Sequence, residues 1–290
     1  MKWWKPKPGA HQPVETPAEA EARFRRENPV ERVCAGLRDT DPEVRRDAAR
    51  KLARLRDAKA VHPLCEALGE ELNQSSRYYR FSDYATEEII EALAAIGGPE
   101  AENLLCSLLK KEAAWSPIPV DIRDEPDIDA VTEWLAPALV ELGGVDLLLR
   151  GLLDALADER SRIREHAAEE LANITYRAMD DGGYVTLSGD GVLTNSHRAS
   201  IFGPLCSALE DEQASVRERA VVALGHLGNM SALDRMLTCL HDENDRVRYF
   251  AANALGDLGD VRAIKSLRQC TKDPEVAVAA EEALAKLTRR

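Results

Sequence analysis

The side chains able to do chemistry are few and scattered. Six histidines (His11, His62, His166, His197, His226 and His241) and six cysteines are spread over 290 residues. Catalysis by a nucleophile or an acid/base pair requires such groups to converge in one pocket, and these histidines share no common position that would assemble them. HExxH, the GxSxG elbow and a phosphate-cradling glycine loop are all missing. There is no CxxC. Asp180, Asp181 and Asp190 lie near one another but lack the twelve-residue ligand spacing of a calcium loop. The expectation is a chain with no catalytic residues, no metal and no cofactor.

Residues suited to recognition are concentrated instead. In SSRYYRFSDY, Tyr78, Tyr79, Phe81 and Tyr84 fall within seven positions, interleaved with Arg77 and Arg80. Aromatic and arginine side chains bury large areas at modest entropic cost and are enriched at binding hot spots. They either contact a partner or cap the first stacked helices and pin the loop. Trp115 stands alone in the acidic, proline-broken KKEAAWSPIPVDIRDEPDID. Trp3 and Trp4 precede the basic KPKPG of an aperiodic leader, which docks on the acidic middle of its own chain, inserts into a partner, or stays disordered. These nine residues, Trp3, Trp4, Arg77, Tyr78, Tyr79, Arg80, Phe81, Tyr84 and Trp115, are the expected partner contacts.

The elements that must position them are read from a repeat. From Val247, apolar residues follow at +4, +8 and +11 (Ala251, Leu255, Leu258), then Gly259. The same register starts at Val44, Ile163, Val216 and Val276, and in divergent form at Ala85 and Val131. Offsets of 4, 8 and 11 place these side chains on one stripe of a helix. A small residue at +4 allows a neighbouring helix to approach closely. Asp41-Pro42 and Asp273-Pro274 read as helix starts, and Gly97, Gly143, Gly228 and Gly259 as left-handed stops. A second, shorter apolar helix follows each time. One such pair is too thin to enclose a core, whereas seven stacked side by side share a continuous one.

These units resemble HEAT repeats of the short kind named after phycobilisome lyase subunits. The resemblance rests on an aspartate five before the anchor and an arginine one after it: Asp39/Arg45, Asp158/Arg164, Asp211/Arg217 and Asp242/Arg248. It implies an Asp/Arg hydrogen-bond ladder through successive turns, structural in role, and interrupted at the copies anchored on Ala85, Val131 and Val276, where both residues are replaced. The implied fold is all-α, a right-handed α-α superhelix of about seven helical hairpins. A basic Trp/Pro tail covers 1–14 and a single solenoid 15–290. Insertions break the period at 69–84, 110–128 and 176–198. The first two join the second helix of one repeat to the first of the next; the third lies on the opposite edge, where YVTL and VLTN around SGDG predict a small β-hairpin near 183–195.

Net charge is −13, and residues 69–133 hold fifteen acids against five bases. Binding to a nucleic-acid backbone needs the opposite balance, which also weighs against a base-flipping helical-repeat glycosylase. The lack of His-Glu pairs argues against the helical-repeat di-iron hydroxylases. No membrane span is expected, because no run of 18 uncharged apolar residues occurs, and the N-terminus has no secretory apolar core, so the location is read as cytoplasmic. The recurring Cys34, Cys65, Cys106 and Cys206 read as buried structural thiols of a reducing compartment. The functional expectation is a non-enzymatic scaffold holding a protein or peptide, suited to one with a basic segment. The alternative, carried by the resemblance to lyase subunits, is handling of a tetrapyrrole.

Overall fold

A computed structural model describes residues 16–74, 84–111, 135–177 and 193–289. Fourteen α-helices are found among them: α1 Pro17–Glu27, α2 Val30–Ala35, α3 Pro42–Leu55, α4 Val61–Gln74, α5 Tyr84–Ile96, α6 Pro99–Leu108, α7 Ala136–Leu156, α8 Ser161–Arg177, α9 Asn195–Ala208, α10 Ala214–Leu227, α11 Leu233–Cys239, α12 Asp245–Leu258, α13 Ile264–Cys270 and α14 Ala277–Thr288. They form two layers. In the front layer α3 packs on α5, and α8, α10, α12 and α14 follow in order, each against the next. The back layer, which includes α4, α6, α9, α11 and α13, lies against it. The chain is an all-helical repeat solenoid.

The stripe explains the layers. Ala85, Ile163, Val216, Val247 and Val276 are fully buried, as are Ala167, Ala220, Ala251 and Ala280 four residues on and Leu93, Leu171, Leu224 and Leu255 at +8. Neighbouring front helices approach closely where glycine meets alanine: a Cβ built on Gly225 would lie 2.8 Å from Ala254 Cβ, and one on Gly256 would lie 2.7 Å from Ala283 Cα. Helix starts use local acceptors. Asp41 caps α3 through the Glu43 N–H with Pro42 following, and Asn244 caps α12 through the N–H groups of Arg246 and Val247. Stops are left-handed at Gly97, Gly228 and Gly259, with φ of 81°, 64° and 81°. The first copy has no glycine there, and Arg56 takes that conformation at φ 50°.

Five expectations need correction. Val44 is 40% exposed rather than buried: it lies in the first front helix, which lacks a preceding copy on that side, and terminal repeats depart from the pattern for this reason. Gly143 has φ −142°, and the positive φ of 71° falls on Gly144, where α7 is broken into a front and a back segment. Asp273 does not cap α14, which starts at Ala277 after Val276. The expected hairpin lies largely outside the described residues, but Thr194 caps α9 by a capping box with His197 and Asn195 is already helical, so the end of VLTN is no strand; no strand occurs among the described residues. The repeated thiols are only partly sequestered: Cys34, Cys65 and Cys106 are half-buried, while Cys206, Cys239 and Cys270 are buried. Burial pushes the Cys65 and Cys239 thiols up to about 11, so they stay protonated and poorly nucleophilic near neutrality. Among the described residues no helix is long and apolar enough to cross a membrane.

Candidate binding surface

The arginine after each anchor reaches in two directions. Nη1 of Arg217 donates to the carbonyls of Asp211 and Glu212 in its own repeat, at 2.8 and 3.2 Å. Its Nε and Nη2 donate to the Asp242 carboxylate of the next repeat. Arg164 does the same with the Asp158 and Glu159 carbonyls and the Asp211 carboxylate, and Arg248 with the Asp242 and Glu243 carbonyls and the Asp273 carboxylate. Each carboxylate also accepts the backbone N–H two residues on, from Gln213, Asn244 and Glu275. Three rungs therefore run unbroken from the α8 repeat to α14. Asp273 occupies the position thought lost in the last copy, because the turn before Val276 is two residues shorter than that before Val247. Burial pushes the Asp211 and Asp242 carboxyls up, but the arginine and backbone hydrogen bonds outweigh it and hold both below the ordinary range.

Toward the N-terminus the pattern changes. Arg45 keeps its bonds to the Asp39 and Thr40 carbonyls but finds Glu71 of α4 as its carboxylate. Asp158 accepts from Arg160, which also donates to the Lys110 carbonyl. Arg160 thereby caps the lower end of the ladder and, with burial opposing, takes the Asp158 carboxyl to about 2.

With the stripe turned to the core and the arginines in the turns, positions +3, +6 and +10 form the open face of the front layer. On α10 they are Arg219, Val222 and His226; on α12 they are Phe250, Asn253 and Asp257. Between these two helices lies a depression of about 160 Å³ lined by Val222, Gly225, His226, Phe250, Asn253, Ala254 and Asp257. Two aromatic contacts stiffen its flanks. Tyr176 of α8, 60% exposed, lies against the His226 ring with centroids 5.2 Å apart, and Tyr249 meets Phe250 edge-on at 5.4 Å. Burial holds the His226 imidazole below its usual pKa, against the raising effects of the Ala172 backbone and of Asp257. Lys286 of α14 donates to Asp257 Oδ1 at 2.6 Å. On this face Arg219 pairs with Glu169, and beside it Arg246 pairs with Glu218 and Arg46 with Glu88, so these charges tie neighbouring helices together.

Residues 203–287 match the family model for HEAT repeats, and residues 44–70 match that for PBS lyase HEAT-like repeats. This is a HEAT-like repeat protein. The HEAT repeats match spans α9 to α14, where the rungs are unbroken. Among solved structures, the HEAT-like chain is similar to an engineered protein at 19% identity (90% of this chain, 97% of the other, TM-score 0.39). It is also similar to a designed armadillo repeat protein in complex with the peptide (KR)4 at 19% identity (89% and 99%, TM-score 0.39). A third likeness is to human deoxyhypusine hydroxylase in complex with glycerol at 20% identity (97% and 92%, TM-score 0.35). No curated protein matches the chain.

Of the expected partner contacts, Trp3, Trp4, Arg77, Tyr78, Tyr79, Arg80, Phe81 and Trp115 lie outside the described residues of the HEAT-like array, and Tyr84 opens α5. Asp180, Asp181 and Asp190 also lie outside them. Among the described residues no group of three or more His, Cys, Asp and Glu side chains is placed to hold a metal. The face formed by Val222, His226, Phe250, Asn253 and Asp257 went unread in the sequence. The register gives the positions, +3, +6 and +10 of each copy, but their residue types do not repeat and so carry no signal.

Proposed function

We propose that this HEAT-like protein is a non-enzymatic scaffold that holds a protein or peptide partner across the open face of its front layer. The observation that carries the reading is the depression between α10 and α12. Its walls mix an aromatic ring, an imidazole, a carboxamide and a carboxylate, the mixture that favours recognition of a polypeptide with both apolar and polar groups. Small-molecule pockets typically enclose about 300–1,000 Å³. A volume of about 160 Å³ suits one inserted side chain instead. A partner lying across the helices would meet equivalent positions once per repeat, so each repeat adds contact area without needing a deep cleft.

The test is site-directed crosslinking. A photo-crosslinking amino acid in place of Phe250 is expected to capture a partner in extract, whereas the same group in place of Lys265, exposed on α13 of the back layer, captures none. Capture at 265 alone, or equally at both, rejects the front face as the contact.

A further inference from the structure

The depression between α10 and α12 has one carboxylate and no cation among its lining residues. Building on the scaffold reading, we propose that it is a socket for an arginine side chain of the partner, with the guanidinium stacked between Phe250 and His226 and paired with Asp257. Three features select this occupant.

The first is charge. Asp257 is the only ionised group in the lining, and the chain already places a cation on it: Lys286 Nζ reaches Oδ1 from α14 at 2.6 Å. That pair is open to solvent, with side chains 48% and 46% exposed. An exposed pair of this kind contributes about 0–1 kcal/mol, so a better-fitting cation displaces the lysine readily. Arg219 and Arg246 are engaged by Glu169 and Glu218 and present no free positive charge to repel it.

The second is shape. The planar guanidinium stacks on aromatic faces and offers a fork of donors to a carboxylate, whereas an ammonium does neither. Phe250 and His226 supply two rings from adjacent helices, each in contact with a tyrosine, Tyr249 and Tyr176, and the Asn253 carboxamide oxygen can accept a remaining donor. Burial keeps the imidazole neutral at physiological pH, so that wall does not oppose a cation. The third is size, since the space admits one side chain.

The probe is N-acetyl-arginine N-methylamide, titrated into the full chain labelled with ¹⁵N and followed by NMR, with the citrulline and lysine counterparts as controls. The Asn253 side-chain amide and the His226 ring signals are expected to move saturably with arginine. Citrulline, which keeps the shape and loses the charge, is expected to bind at least tenfold more weakly, with lysine between them. Asp257→Asn should lose at least tenfold, while Lys286→Met should bind arginine several-fold more tightly, because the competing cation is gone. A structural role for the Asp257–Lys286 pair alone would weaken both variants or neither. Equal binding of citrulline and arginine, or no gain in K286M, overturns the socket. If a partner crosslinks at position 250 yet binds D257N and the parent equally, the scaffold reading stands and the arginine assignment falls. If neither crosslinking nor arginine shifts occur, both fall.

Discussion

Arg217 and Asp242 meet through two hydrogen bonds of 2.8 Å each, with side chains only 9% and 12% exposed. The same guanidinium holds two carbonyls of its own turn. One side chain thus fixes both the turn it comes from and the turn of the next repeat. This sets the spacing of α10 and α12, and hence the width of the depression between them.

Replacing Asp242 by alanine leaves Arg217, in a largely dry turn, with only the exposed Glu243 carboxylate at 3.5 Å and frees the Asn244 N–H. The loss expected is about 3 kcal/mol, from charged hydrogen bonds removed together with a cation left without its buried partner. Asp273→Ala should cost distinctly less, because Arg248 and Asp273 are 20% and 30% exposed and water replaces the lost bonds. Urea denaturation of the two variants gives the order, and an Asp273 variant as unstable as the Asp242 one would show that burial does not set rung strength.

The rungs also determine the acid limit of the fold. Asp158 is lowered to about 2 from an ordinary 3.8, and Asp211 and Asp242 are lowered as well. A carboxylate with a depressed folded pKa stabilises fully above its unfolded value, and the contribution is lost as pH falls through the folded one. The thermal midpoint should therefore hold steady down to about pH 4 and fall steeply toward pH 2. In D211N/D242N the starting midpoint is lower and the fall shallower. An equally steep fall in that variant would place the acid sensitivity outside the ladder.

How far these features could be read in advance follows from what repeats. The buried stripe recurs in type as well as position, so Ala220, Ala251 and Ala280 or Leu224 and Leu255 identify the front helices without coordinates. Asp273 was missed by counting back five residues from Val276. The structure registers this aspartate to the preceding back helix instead: its N–H donates to Cys270 O as that of Asp242 donates to Cys239 O, so a shortened turn moves the anchor and leaves the acceptor in place. The open face was illegible for another reason. At +3, +6 and +10 the residue types change from copy to copy, Arg219 to Phe250, Val222 to Asn253, His226 to Asp257. Nothing in a single sequence marks a surface whose members differ.

Close helix approach should respond to one methyl group. Gly256→Ala places a Cβ 2.7 Å from Ala283 Cα and 2.8 Å from its Cβ, where backbone must move, and overpacking of this kind costs about 1–3 kcal/mol. Gly203, inside α9, has nothing within 4 Å of a built Cβ. Gly203→Ala should instead stabilise by about 0.5–1 kcal/mol, as alanine does over glycine in a helix interior. Opposite signs in thermal denaturation support the close-contact account, and a stabilised Gly256→Ala rejects it.

The segment between α4 and α5 supplies the remaining test. In the sequence it carries Tyr78, Tyr79 and Phe81, with Arg77 and Arg80 between and beside them. If these aromatics contact the partner, changing all three to alanine removes large contact area without touching the buried stripe, and such anchors typically contribute about 2 kcal/mol or more each. Partner capture through position 250 should then fall by more than tenfold while the urea midpoint stays where it was. If the rings only pin the loop against the first helices, the opposite pattern appears: the midpoint drops and capture by the folded fraction is unchanged. The two measurements together separate a contact from a brace.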